Sequence, residues 1–236
     1  MNLLPGWLTR GYLRLIEPVA GWLARRGVSP NVITIVGTLC SVAGGVIYGA
    51  GHIRTGGWFL GSTALFDVLD GAVARRAGRS SAFGAFFDST LDRVADGFVL
   101  GGLAVFFSTR PGWMGTTMVV VSILGLMGTY VTSYTRARAE ALGFDAKVGV
   151  LQRPERVVLL SAPQAFFGLA LGGAVLIAII IIVTVTAWIT AVQRVAAVSR
   201  AARGVSGTGA GRATSGRAGT RVLAAMAASR SIAKGD

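Results

Sequence analysis

The sequence predicts an all-α integral membrane protein: six transmembrane helices preceded by an amphipathic interfacial helix. Three observations carry this prediction. The 236 residues are 53% hydrophobic and only 14% charged, far too apolar for a water-facing surface. The apolar residues gather into runs long enough to cross a bilayer, and at about 20 residues per span six spans take about half of the chain. The basic residues fall between these runs, concentrated on one side. A soluble globule is excluded on composition. A disulfide scaffold is excluded because Cys40 is the only cysteine.

The elements follow in order. Between Leu4 and Leu23, the residues Leu4, Trp7, Leu8, Tyr12, Leu15, Ile16, Val19, Trp22 and Leu23 recur at three- and four-residue spacing, opposite Arg10, Arg14, Glu17 and Arg25. This is the pattern of a helix lying in the membrane interface, with a bend near Pro18. No basic region followed by an apolar core and a small-residue cleavage site precedes it, so no removable signal peptide is expected. Ser29-Pro30-Asn31 opens the first span, over about 32–49. The second covers about 57–73, the third 83–107 and the fourth 113–134. Residues 157–192 carry no charge, and as one helix they would reach about 54 Å, nearly twice the hydrocarbon thickness. A break near Gly172-Gly173 divides them into a short fifth span containing Pro163 and a sixth. A five-span map with the tail outside is the alternative.

The charge balance is 23 basic against 10 acidic residues, or +13. No aromatic residues interleave with the basic ones in the manner of single-strand binding, so no nucleic acid is expected. The positions instead follow topology and anionic membrane lipids. On six spans, Arg10, Arg14, Arg25, Arg26, Arg75, Arg76, Arg79, Arg136, Arg138, Lys147, Arg153, Arg156, Arg194, Arg200 and Arg203 share one side. Only Arg54 and Arg110 fall on the other. The positive-inside rule places the first side, with both termini, in the cytoplasm at the plasma membrane. Three regions result: an interfacial helix over 1–28, a transmembrane domain over 29–199, and a basic, disordered cytoplasmic tail over 200–236. Within the tail a short surface helix is expected over 221–228.

Charged side chains inside spans are costly, which makes them functional candidates. Five of the ten acidic residues lie in spans two and three: Asp67, Asp70, Asp88, Asp92 and Asp96. Asp67 and Asp70 are three apart and Asp88 and Asp92 four apart, so each pair shares one helix face. Residues level with each other in an antiparallel hairpin have numbers of nearly constant sum. That matches Asp70 to Asp88 and Asp67 to Asp92, bringing four carboxylates to two heights. Such a quartet needs compensating cations. Oxygen-only ligands favour hard divalent ions such as Mg²⁺ or Mn²⁺, and two ions bridged by shared carboxylates suit phosphoryl displacement. Asp96 is expected to pair with Arg93 instead. Lone His52 is read as a solvated loop residue and Cys40 as packing.

Gly71, Ala74 and Gly84 are small residues around the quartet that allow close approach. The whole reads Asp67-x-x-Asp70-Gly71-x-x-Ala74-Arg75, then Gly84-x-x-x-Asp88-x-x-x-Asp92. This closely resembles the signature of the CDP-alcohol phosphotransferase family, which fixes eight positions over 26 residues. The resemblance implies a homodimeric six-helix membrane enzyme that transfers a phosphatidyl-type group from a CDP-linked donor to an alcohol and releases CMP. It implies that Asp67, Asp70, Asp88 and Asp92 hold the ions, with Asp92 also the general base. It further implies that Gly71, Ala74, Arg75 and Gly84 line the CDP site, joined by Asn31 and Thr34 from the first span. For the dimer, close approach through Gly97, Gly101, Gly125 and Gly128 is expected.

Arg136, Arg138, Arg153, Arg156 and Arg194 flank spans four to six on the cytoplasmic side. Arginine suits bidentate phosphate capture, so a phosphorylated acceptor is expected. Two segments, Ser133-Tyr134-Thr135-Arg136-Ala137-Arg138-Ala139-Glu140 and Arg153-Pro154-Glu155-Arg156, are similar to those of the actinobacterial phosphatidylinositol phosphate synthase subfamily. Its members often carry Lys where Arg136 stands. This resemblance implies CDP-diacylglycerol as donor and 1-L-myo-inositol 1-phosphate as acceptor. Phosphatidylglycerophosphate synthesis from glycerol 3-phosphate is the second reading. A divalent-cation transporter is the non-enzyme alternative, disfavoured because no acidic or amide path continues through the outer half of the spans.

Overall fold

A computed structural model describes residues 6–78, 81–146 and 148–208. Among them there are helices and no strands: α1 Gly6–Arg25, α2 Pro30–Gly49, α3 Ile53–Arg76, α4 Ala82–Ser108, α5 Trp113–Ala141, α6 Arg153–Phe167 and α7 Ala174–Thr208. The chain divides into two units, Met1–Tyr130 with Leu151–Ala187, and Val131–Val150 with Trp188–Asp236.

Helix starts follow local chemistry. Pro30 and Pro154 stand in the first turns of α2 and α6, where a missing N–H costs nothing. Ser81 caps α4 by accepting from the Gly84 N–H at 3.0 Å. Gln152 and Glu155 form a reciprocal capping box on α6, the Gln152 N–H donating to Glu155 at 2.9 Å. The expected break in the long uncharged stretch is present. A 3-10 turn over Ala170–Gly173 separates α6 from α7, with Leu171 and Gly172 at φ 55° and 65°. Such values end an α-helix, and Gly adopts them without steric cost.

In the first unit, α2 packs on α3 and α4, α3 on α6, and α1 on α3. The core joins Tyr48, Leu60, Leu100, Leu103, Met118, Leu160, Leu176 and Ile180. The buried Tyr48 hydroxyl donates to the Leu160 carbonyl at 2.6 Å. At the crossing of α2 and α4, Gly45 and Gly102 face each other so closely that a Cβ on either would strike the other helix's backbone. Ile16 and Ala20 bury the inner face of α1 against Ile33, Leu69 and Val73, while Val19 and Trp22 stay half exposed. Glu17 pairs with Arg76 at 2.7 Å.

Two of the glycines expected to serve a dimer meet neighbours within the chain. A Cβ on Gly97 would lie 2.8 Å from the Tyr130 hydroxyl, and one on Gly125 2.6 Å from Thr184 Oγ1. Gly101 is open, with nothing within 4 Å of its Cβ position. Glycine marks a close approach without saying which partner approaches.

By length and composition, three stretches can cross a membrane: Pro30–Gly49, Trp113–Ala141 and Ala170–Arg203. Six were expected. The helices outside this set include α3 and α4, long enough at about 36 and 40 Å but interrupted by the aspartates and arginines. The third, α6, is only 15 residues long. Large apolar side chains such as Trp58, Val105, Ile123 and Ile182 point outward, as in a membrane protein. At the C-terminal end α7 continues to Thr208, so the expected disorder does not begin at residue 200. The rest of the tail, including the expected helix over 221–228, lies outside the described residues.

Candidate active site

The four carboxylates come from facing stretches of α3 and α4, which the 3- and 4-residue spacings place on one side of each helix. The structure adds α6. Its capping box fixes where the helix begins, and this sets Arg153 in the first turn. Arg153 Nη1 donates to Asp67 Oδ2 at 2.7 Å, and its Nη2 forms an ion pair with Asp92 Oδ1 at 2.6 Å. One guanidinium thus joins the two aspartates that the hairpin register matches in height, and ties three helices together. The Asp67 contact is a charge-assisted hydrogen bond. Thr34 on α2 reaches the other level: its hydroxyl donates to Asp70 Oδ2 at 2.7 Å. Asn31 stands near the α4 start, its Oδ1 3.8 Å from where a Gly84 Cβ would be.

Arg93 is shared more loosely, at 3.7 Å from Asp92 and 3.9 Å from Asp96, so the expected Asp96 pairing exists only as a long ion pair. Arg75 is exposed, and its Nη1 lies 3.3 Å from a Cβ built on Gly71. Ala74 is half-buried on α3.

The arginines assigned to the acceptor have different settings. Arg153 is mostly buried in the carboxylate cluster. Arg156 is only 8% exposed, lying deeper than a residue at an open mouth. The other three belong to the second unit. There Arg136 pairs along α5 with Glu140 at 2.9 Å, and Arg138 is exposed. Arg194 Nε donates to the Val148 carbonyl at 2.9 Å and its Nη1 to the Thr132 carbonyl at 2.5 Å. Charge alternation in the sequence could locate these arginines, but not their partners.

Oxygen is the only donor type among the acidic residues of the site, which fits a hard divalent ion. Among the described residues, however, no three His, Cys, Asp or Glu side chains are grouped as a metal-binding set. Arg153 holds one oxygen each of Asp67 and Asp92, and Thr34 holds one of Asp70. The donor chemistry fits; Arg153 shares it.

Helices with outward apolar faces around a carboxylate hairpin define a membrane protein with an acidic site between two of its helices. Residues 27–198 match the model of the CDP-alcohol phosphatidyltransferase family, and the chain belongs to that family. It is 40% identical over 167 residues to a phosphatidylinositol phosphate synthase of Mycobacteroides abscessus, covering 70% of this chain and 75% of the relative. The crystal structure of Mycobacterium tuberculosis phosphatidylinositol phosphate synthase with CDP-DAG bound is similar at a TM-score of 0.72 and 34% identity, over 78% of this chain and 94% of that one. The structure of the same enzyme in complex with manganese and citrate gives 0.71 and 35%, over 78% and 88%.

Proposed function

We propose that the protein transfers the phosphatidyl group of CDP-diacylglycerol to 1-L-myo-inositol 1-phosphate and releases CMP. The observation that carries this reading is the complete eight-position signature on α3 and α4, closed by the Arg153 bridge between Asp67 and Asp92. The names of the relatives support the donor and the acceptor.

Asp67, Asp70, Asp88 and Asp92 would hold two divalent ions, which when bound polarise the donor diphosphate and neutralise its charge. Gly71, Ala74, Arg75 and Gly84 line the site of the cytidine and its phosphates, with Asn31 and Thr34 beside them. Asp92 takes the proton of the acceptor hydroxyl as its oxygen bonds to the lipid-linked phosphorus. The bond from that phosphorus to the CMP oxygen breaks, and CMP leaves with the electron pair. Arg153 supplies positive charge for the acceptor's phosphate, because a planar guanidinium can bridge carboxylate and phosphate oxygens together. Their places at the cytoplasmic ends of spans four to six give the same role to Arg136, Arg138, Arg156 and Arg194.

The topology proposed is six spans, with α3, α4 and α6 crossing alongside the three more apolar helices, and α1 in the interface. Both termini and the active site face the cytoplasm of the plasma membrane, and the enzyme is a homodimer. A reporter fused after Arg200 is expected to read cytoplasmic.

The deciding experiment offers purified protein CDP-diacylglycerol with inositol 1-phosphate, glycerol 3-phosphate, free inositol or serine, and measures CMP. Inositol 1-phosphate should be preferred, with Mg²⁺ or Mn²⁺ required. Undiminished turnover in excess EDTA would remove the ions from the reading. Preference for glycerol 3-phosphate would make the protein a phosphatidylglycerophosphate synthase.

A further inference from the structure

The carboxylates occupy one end of the α3–α4 pair, and the opposite end carries a separate cavity. Ser108 ends α4 about 24 Å along the axis from Asp92, at 1.5 Å per residue. There a cavity of about 400 Å³ opens between the last turn of α4, the start of α5 and the start of α7. Its volume is that of a small-ligand site. Phe107, Met114, Leu169, Leu176 and Ile177 form much of its wall, and among the described residues Arg110 is the one charged side chain on it. The proposed transfer uses none of them.

Charge and surroundings together say what fits this cavity. Arg110 Cζ stands 4.5 Å from the centroid of the Phe106 ring, a contact that holds the cation at the cavity and supplies no counter-charge. Nearby chain offers none either. No Asp or Glu occurs in residues 18–66, 97–139 or 156–235, and these stretches contain all three helix connections at this end. The other cation here, Arg54, lies against the turn after α6, its Cγ 2.6 Å from a Cβ built on Gly168, and does not line the cavity. The flanking side chains are apolar and outward: Trp113 is 74% exposed and Leu171 79%. A water-soluble anion gains nothing from such flanks, whereas a bilayer covers them, and tryptophan at a helix end marks the membrane–water boundary.

We propose that this cavity binds an anionic glycerophospholipid of the outer leaflet, its phosphate on the Arg110 guanidinium and one acyl chain against Met114, Leu176 and Ile177. The guanidinium presents N–H donors in a fork that matches two phosphate oxygens. The lipid supplies the negative charge that the chain lacks at this end and fills the space between α4, α5 and α7. The choice of leaflet rests on the six-span topology proposed above; the site and the class of ligand do not.

The test is made on full-length protein purified in mild detergent and read by native mass spectrometry with added lipid. Wild type should retain one phosphatidylglycerol per protomer in preference to phosphatidylcholine. A phosphatidylglycerol with a diazirine in one acyl chain should label residues 106–115 and 169–177. Arg110→Gln should weaken the binding by at least about tenfold, the size of one charge-assisted contact. Arg54→Gln removes the same charge from the same end and should leave affinity within about twofold. Met114→Trp, which narrows the cavity and keeps Arg110, should lower the labelling, and Met114→Phe takes its place if that variant does not fold. Displacement of the lipid by millimolar inorganic phosphate would overturn the proposal in favour of a soluble anion. Equal losses in Arg110→Gln and Arg54→Gln would overturn it in favour of diffuse surface charge. A change of Arg110→Gln from dimer to monomer without loss of lipid would give the cavity to a second copy of the chain. If a reporter fused after Arg200 reads outside the cell, the proposed topology fails and the leaflet is reversed, while the measurement in detergent still decides the lipid site.

Discussion

Arg153 and Arg194 invite the same reading from sequence: each borders a long apolar stretch on the basic side of the chain. The structure gives them opposite kinds of partner. In the first unit, Arg153 pairs with two carboxylates, Asp67 and Asp92. In the second, Arg194 donates to two backbone carbonyls, of Val148 and Thr132. Carbonyl partners are fixed dipoles that need nothing further, so Arg194 closes a loop onto its helix. Carboxylate partners are charges that an ion or a proton can also claim, so Arg153 sits where chemistry can happen. What an arginine touches separates structural from chemical use better than where it lies along the chain.

The largest effect should come from the carboxylate side of that contrast. Asp92→Asn keeps the size of the side chain and an oxygen for Arg153 while removing the base. Turnover should fall by about 10²–10⁴-fold, the range of general-base catalysis, with the CDP-diacylglycerol KM nearly unchanged. Activity near wild type would move the proton transfer elsewhere. Arg153→Ala comes next. It removes the guanidinium that the proposed function sets against the acceptor phosphate, and at about 1.5–3 kcal/mol for one charge-assisted contact, acceptor kcat/KM should drop by about ten- to a hundredfold. The acceptor KM should rise much more than the donor KM. An equal rise in both would show that Arg153 shapes the whole cluster and does not select the acceptor.

Much of the carboxylate hairpin is legible in the amino-acid sequence. Spacings of three and four, and the constant sum across a hairpin, pair Asp67 with Asp92, and one guanidinium joins them in the fold. That guanidinium is not legible as their partner, because Arg153 is 86 residues from Asp67 and no local periodicity reaches so far. Thr34 enters only through family resemblance, and the structure puts its hydroxyl on Asp70. Depth is the least legible property. Arg156 looks like any flanking charge in the sequence, but the capping box starts α6 before it and turns it inward. Hydropathy likewise leaves α3, α4 and α6 outside the three most apolar stretches, because aspartates and arginines interrupt the first two and the third is only 15 residues long.

A smaller effect is expected from the other side of the contrast. Arg194→Ala removes two bonds to backbone carbonyls and leaves those carbonyls to find other donors. Stability should fall by about 1–3 kcal/mol, read as a lower melting temperature in mild detergent, with kcat nearly unchanged. A tenfold rise in acceptor KM without loss of stability would instead make Arg194 the phosphate ligand that its place at the end of span six implies.

The smallest expected change decides a sharper point. Arg136 forms an exposed pair with Glu140 one turn along α5, an arrangement worth about 0.3–0.5 kcal/mol. If that pair were its only use, Arg136→Ala would lower stability slightly and leave the kinetics alone. The resemblance to a subfamily that often has lysine at this position points instead to a positive charge used on the acceptor. On that reading Arg136→Ala raises the acceptor KM by about tenfold, one charge-assisted contact at the low end of its range, while melting barely moves. Arg136→Lys should restore the KM because the charge alone is needed. Glu140→Gln separates the two uses: it breaks the helix pair as completely as Arg136→Ala does, yet leaves the guanidinium in place. A normal acceptor KM in Glu140→Gln beside a raised one in Arg136→Ala would assign the charge to the substrate, and equal values in both would assign it to the helix.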